Sequence, residues 1–190
     1  MKLIGVAGTN GSGKDTIGHM LAERHGWLFV SVSDFLREEA KKRGLPIERE
    51  VLRTISAQWR REFGLGVLVD KAVELFNAEP GKYTGVVAIP MRNVGEAQHV
   101  KDLGGTLVWV DAPAKLRYER IYNRGRSAED NKTFEQFQAE EAAEMNRSGD
   151  SATLDMAGVK AIADLSIHNE TSDIETFKDQ AEKALAKIIS

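Results

Sequence analysis

Cysteine is missing altogether from the 190 residues. Disulfides, thiolate metal sites and thiol catalysis are therefore excluded, and a reducing cytoplasmic setting is expected. Proline is scarce, at four residues, and no internal repeat or low-complexity tract interrupts the chain. No apolar stretch approaches a membrane span, and the N-terminal apolar run is too short for a secretory signal. An excess of one charge is also lacking, since 26 Lys and Arg stand against 29 Asp and Glu, a net charge of −3. With no global basic field, neither nucleic acid nor an anionic membrane is expected as a partner, and any positive patch must be local. His19, His25, His99 and His168 lack metal-ligand spacing. Trp27, Trp59 and Trp109 are too dispersed for a base-stacking platform. What remains is 42% hydrophobic and 29% charged, the balance of an ordinary globule. One domain over 1–190 is expected, as a monomer or small homo-oligomer.

Against these absences stands a glycine-rich segment, Gly8-Thr9-Asn10-Gly11-Ser12-Gly13-Lys14-Asp15-Thr16. Gly8, Gly13 and Lys14 fit the Gly-x-x-x-x-Gly-Lys phosphate loop, with the hydroxyl one residue late, at Thr16 rather than 15. An apolar run precedes the segment and a helical pattern follows it. Glycines at 8, 11 and 13 permit positive φ and close approach to an anion. Amides of the loop and of the next helix surround a polyphosphate, and Lys14 reaches the β/γ oxygens. Nucleotide triphosphate binding follows, with Asn10, Gly11, Ser12 and Asp15 in the cradle. Asp15 also reads as a first-turn carboxylate favoured by the helix dipole.

Short apolar runs at Lys2–Ala7, Trp27–Val32, Gly85–Pro90, Gly105–Asp111 and Leu165–His168 alternate with longer helical patterns. That order predicts an α/β fold of three layers around a five-stranded parallel sheet buried on both faces. Helices are read at Gly13–His25, Ser33–Arg43, Glu48–Phe63, Gly66–Asn77, Val94–Leu103, Ala114–Arg124, Thr133–Asn146 and Asp173–Ile189. Ser33 and Asp173 are the candidate N-caps. Residues 34–78 form a helical insertion expected to bind an acceptor. Residues 118–151 form an arginine-bearing segment expected to act as a lid, since phosphoryl transfer requires water to be excluded.

Several charged residues lie at strand ends, where open α/β sheets take ligands. Asp34 and Arg37 share a helix face; an acceptor phosphate on Arg37 and a solvated ion pair are both open readings. Arg92 leaves the third strand at the same edge, followed by Glu96. Arg117, Arg120 and Arg124 lie three and four apart and present guanidinium groups on one face. Glu140, Glu141 and Glu144 form an acidic face beyond them, read as solvated or as pairing with Arg124 or Arg126. Trp59 is expected to line the acceptor pocket. The third strand, ending Ile89-Pro90-Met91, carries no acid for magnesium. Asp34 is the expected substitute beside Thr16, on the assumption that the second strand ends next to the phosphate loop, and Asp111 is a weaker one.

Lys14-Asp15-Thr16, Ser33-Asp34-Phe35-Leu36-Arg37 and Arg92 with Glu96-Ala97 resemble the motifs of adenylate kinase and other nucleoside monophosphate kinases. The resemblance implies a P-loop NTPase fold, ATP and Mg2+ as cofactors, and a phosphorylated small-molecule acceptor. It implies Arg37 and Arg92 on the acceptor phosphate, Glu96 near the acceptor's base or sugar, and Arg120 with Arg124 closing over the donor. Ala163-Asp164-Leu165-Ser166-Ile167-His168-Asn169 is similar instead to dephospho-CoA kinases and archaeal kinase-like proteins, implying that Asn169 lies against the donor adenine. The archaeal group also resembles the chain at Arg37–Gly44. The expected function is ATP-dependent phosphoryl transfer to a nucleoside or deoxynucleoside monophosphate, with Lys14, Asp34, Arg120 and Arg124 catalytic. Alternatives are dephospho-CoA kinase and a nucleotide-dependent switch or assembly ATPase with slow hydrolysis.

Overall fold

The computed structural model describes residues 1–125, 132–145 and 149–190, with Arg124 described by its backbone alone. Five strands, β1 (Leu3–Gly8), β2 (Leu28–Ser31), β3 (Val86–Met91), β4 (Thr106–Asp111) and β5 (Leu165–His168), form one sheet in the order β2-β3-β1-β4-β5. Every pairing is parallel. In β1, β3 and β4 the apolar runs are continuous because successive side chains enter opposite layers, whereas the edge strand β5 alternates, with Ser166 and His168 exposed, so the sheet is not buried on both faces throughout. Ile4, Val6, Val87, Ile89, Val108 and Val110 face one layer, while Leu3, Ala7, Val86, Ala88, Leu107 and Trp109 face the other.

The first layer is filled from α1 (Lys14–His25) and α9 (Ile174–Ile189) by Ile17, Met20, Leu21, Phe177, Ala181 and Leu185. The second is filled from α2 (Val32–Lys42), α3 (Arg49–Phe63), α4 (Val67–Asn77), α5 (Val94–Asp102) and α8 (Met156–Ala161). α6 (Ala114–Arg124) and α7 (Phe134–Met145) follow β4. Helices α2 to α4 are the expected insertion between β2 and β3.

At two helix starts the structure departs from the sequence reading. Helix α2 begins at Val32, directly from β2, so its cap position is Ser31 and makes no side-chain bond; Ser33 lies inside the first turn. Asp173 does cap α9, accepting from the Thr176 amide at 2.7 Å. Helix α8 carries too few residues to establish a period and escaped notice. Its start is fixed by Asp155, whose carboxylate accepts from the Gly158 amide at 2.8 Å.

The pairing of β1 with β3 shifts register between Gly5, opposite Ala88, and Ala7, opposite Met91. Strand β3 spends three steps where β1 spends two, and the extra length falls at Ile89-Pro90. Proline has no amide to donate, so a bulge is where a central strand tolerates it. Beyond this bulge Met91 ends level with Ala7, and the chain emerges at Arg92, beside the phosphate loop.

Candidate active site

The loop joining β1 to α1 lies at the carboxyl edge of the sheet, with β3 and β4 on either side. Gly11 takes φ 78° and Gly13 φ 97°, both left-handed values that a side chain would strain. Close approach adds a second constraint: a Cβ on Gly11 would lie 2.6 Å from the Arg117 carbonyl oxygen, and one on Gly13 2.4 Å from Asn169 Nδ2. Gly13 is also the α1 N-cap and has no side chain to satisfy the first-turn amides. Those amides keep the partial positive charge that favours an anion. Thr9 Oγ1 and Ser12 Oγ are buried without a hydrogen-bond partner. An uncapped helix start behind a glycine turn with two orphaned hydroxyls fits a polyphosphate. Lys14 is mostly buried and its Nζ donates to Thr9 O at 3.2 Å, which holds the ammonium over the loop. Thr16 is half-buried in the first turn and Asp15 is exposed.

On the β4–β5 side, Arg120 ties the loop to the segment after β5. Its Nη1 donates to Gly11 O at 3.1 Å, and its Nη2 to Asn169 Oδ1 at 3.0 Å and Thr171 O at 2.5 Å. Asn169 is buried, and its Nδ2 donates to Ser12 O at 2.9 Å. Burial, and next the charge of Arg117, lower the Arg120 pKa, so this guanidinium stands ready to gain from an added anion. Arg117, aligned with Arg120 by helical spacing, turns inward: its Nε donates to Ala112 O at 2.7 Å and its fork pairs with Glu141 of α7. Tyr118, Phe134 and Phe137 pack ring to ring and close α6 on α7. The Arg124 side chain and Arg126 lie outside the described residues.

On the β3 side, the Arg92 Nη2 donates to Asn10 Oδ1 at 3.0 Å and Nη1 to Glu144 Oε2 at 3.1 Å. Arg53 of α3 donates to the other Glu144 oxygen at 2.5 Å. Burial would raise the Glu144 pKa, but the charges of Arg92 and Arg53 outweigh it, and the carboxyl stays below the ordinary glutamate value. The acidic face of α7 is thus an arginine-binding face, with Glu140 reaching Arg49 at 3.3 Å as well.

Other expected site residues stand elsewhere. Glu96, expected at the acceptor's base or sugar, is fully buried: one oxygen takes both Arg60 Nε and Nη2, at 2.9 and 2.7 Å, and the other accepts from the Arg92 amide at 3.1 Å. It therefore holds the Arg92 backbone rather than a ligand. Trp59 is packed into the core, with the Lys71 ammonium 4.9 Å above its ring. Arg37 pairs with Asp34 on an exposed face, the solvated-pair reading. Strand β3 lies between β1 and β2, so Asp34 does not flank the loop, as the assumption of a neighbouring β2 required. Asp111 does lie on a strand next to β1, but it pairs with Lys160 at 3.0 Å. Among the described residues no group of three or more His, Asp or Glu is arranged to hold a metal ion.

Sequence reasoning missed Arg53 and Arg60. The available signal was the row Arg49, Arg53 and Arg60, whose spacing of four and seven puts three cations on one face of α3.

A family model described as an AAA domain matches residues 4–145. A UPF0200 protein of Pyrobaculum aerophilum is 32% identical over 190 residues, covering 99% of both chains. The chain belongs to the UPF0200 family and to the AAA-domain family. Among solved structures, shikimate kinase from Acinetobacter baumannii in complex with shikimate aligns at TM-score 0.56 and 18% identity, covering 99% of this chain and 92% of that one. A gluconokinase from Sinorhizobium meliloti aligns at TM-score 0.54 and 15% identity, covering 99% and 93%. This UPF0200 chain therefore has the three-layer P-loop kinase-like fold.

Proposed function

We propose that this UPF0200 protein is an ATP-dependent phosphotransferase whose acceptor is a small anionic molecule entering from the β3 side. The observation that carries the reading is Arg92. It occupies the end of the strand next to the phosphate loop, bonded to the loop's own Asn10, so a cation for a second substrate stands beside the donor cradle.

When bound, ATP with magnesium supplies the phosphoryl group and part of the charge neutralisation. The chain's own residues then divide the work. Loop amides and Lys14 would hold the β and γ oxygens, and Thr16 would offer its hydroxyl to the metal, an ion that needs few protein ligands. Arg120 and Asn169 brace the loop against the segment after β5, on the side where the donor base lies. Arg92 aligns the acceptor. No nucleophile from the protein is required, because alignment and stabilisation of the equatorial charge account for catalysis of direct transfer. Arg124, on the last turn of α6, is the further cation proposed for the γ-phosphoryl.

The motifs that resemble nucleoside monophosphate kinases favour a nucleoside or deoxynucleoside monophosphate as acceptor. The shikimate kinase and the gluconokinase are named for acceptors other than nucleotides, which widens the set to be tried. The switch or assembly-ATPase reading is favoured by one observation: β3, the strand next to the loop, ends in Ile89-Pro90-Met91 without the acid that related kinases carry there.

The experiment is ADP formation from ATP and magnesium across monophosphates, deoxymonophosphates, dephospho-CoA and small hydroxy acids. Acceptor-dependent turnover, abolished in Lys14→Ala, supports the kinase. Slow hydrolysis indifferent to every acceptor supports the switch.

A further inference from the structure

Glu144 is the one carboxylate in the described structure whose two oxygens are taken by guanidinium groups from two different core elements. Arg53 comes from the helical insertion and Arg92 from the end of β3. Its side chain is 10% exposed, whereas the guanidinium partners are 38% and 24% exposed. The cations therefore belong to a surface that opens outward, and the anion is laid into it. Two guanidinium forks converging on one two-oxygen anion are the geometry that recognises a carboxylate or a phosphate. The Arg92 fork links this anion, through Asn10, to the phosphate loop.

Helix α7, which delivers Glu144, packs on α6 through Phe134 and Phe137, but the face that carries Glu144 is held by charge. Glu140 meets Arg49, and Glu141 meets Arg117. Of its residues, Phe137 is the buried hydrophobe, and Met145 packs on the second core layer. A helix fastened by ion pairs is one that a competing oxyanion can loosen, because each pair is exchanged rather than simply broken.

We infer that Arg53 and Arg92 form an oxyanion subsite for the acceptor, and that Glu144 is its internal occupant, displaced when the acceptor's anionic group binds. The inference rests on the reading that the acceptor enters from the β3 side, and it adds Arg53 and a built-in competitor to that reading. The competitor lowers the apparent affinity of every anion by the fraction of time the subsite is closed. Only an acceptor that also gains contacts elsewhere repays the displacement, so the device selects against free phosphate and other small anions.

The test uses the full chain and inorganic phosphate as probe, with no nucleotide and no turnover. Calorimetric titration should show phosphate binding more tightly to Glu144→Gln than to the natural protein, by about tenfold, the low end for removing one close charge pair. In Arg53→Gln, phosphate binding at this subsite should be lost. Hydrogen exchange on the natural protein gives a second readout that needs no variant to fold: saturating phosphate should speed exchange of the α7 amides. Equal or weaker binding in Glu144→Gln overturns the inference, as does phosphate binding that is indifferent to Arg53→Gln or leaves α7 unchanged or more protected. Absence of phosphate binding in all three proteins also overturns it. Because no ATP is present, these outcomes are independent of whether any acceptor supports ADP formation.

Discussion

Gly11 and Arg117 meet across the site with no room for a methyl group, since the Cβ of an alanine would come within 2.6 Å of a carbonyl oxygen that belongs to helix α6. The left-handed φ of Gly11 adds strain of about 1–3 kcal/mol for any other residue. Gly11→Ala is therefore expected to push α6 off the loop, lower stability by about that amount, and weaken nucleotide binding at least as much as Lys14→Ala. Thermal melts with and without ADP would measure both effects, and an unchanged melt in both conditions would refute the close contact. A second residue-scale prediction concerns the pair Arg60 and Glu96, whose side chains are 2% and 1% exposed. Removing one member leaves a buried charge uncompensated, which costs about 3–5 kcal/mol. Glu96→Leu should fall in that range by denaturant titration. It should also impair acceptor use in whatever protein still folds, because the Arg92 amide loses its carboxylate. A loss confined to the acceptor with full stability would return Glu96 to the ligand.

Helix α7 is the element whose attachment depends most on ionisation. Burial opposes the charged form, but the charges of Arg92, Arg53 and Arg49 hold the Glu144 pKa below the ordinary glutamate value. A depressed carboxylate pKa stabilises the folded form at every pH above the unfolded value of about 4.3, and the contribution is lost as pH falls through the lower folded value. Detachment of α7 is thus expected below about pH 4.3 and not between pH 5 and 8. Tyr118, Phe134 and Phe137, which form the α6–α7 junction, give a local aromatic signal to follow it. In Glu144→Gln the acid-dependent step should shrink or vanish. An undiminished step would assign it to another carboxylate. The insertion helices α2 to α4 are held differently, by Val32, Leu36, Ile55, Trp59, Leu68 and Val69 in the core, so they should keep their place over the same pH range.

At the scale of the whole molecule, the sheet order decides which strand ends meet at the phosphate loop. With β3 and β4 flanking β1, the loop is addressed by Arg92 from one side and by the β4–α6 and β5 segments from the other. A ligand that joins these groups stabilises the fold by mass action, by about 2.7 kcal/mol at a hundred times its dissociation constant. At about 2–4 °C per kcal/mol for a domain of this size, ATP with magnesium should raise the melting temperature by about 5–10 °C. Calorimetry with millimolar nucleotide checks this, and no shift with either ATP or ADP would remove the nucleotide site.

The phosphate loop and the five strands were readable because both depend on local pattern, although only β1, β3 and β4 are buried through their middle and the edge strands β2 and β5 are partly exposed. Glycines at 8, 11 and 13 are demanded by backbone geometry, and unbroken apolar runs by a sheet covered on both faces. The same locality explains Asp173 as a cap. Tertiary structure alone decided which charges met. Asp34 looked like a loop neighbour until β3 intervened between β2 and β1. Glu96 looked like a ligand contact until Arg60, thirty-six positions away, buried it. Glu144 looked like part of a solvated face until α7 folded onto Arg53 and Arg92, ninety-one and fifty-two positions away. Periodicity reports which face of an element is apolar and says nothing of its distant partner. An ion pair depends on a few ångströms between groups that the chain brings together only when the layers close.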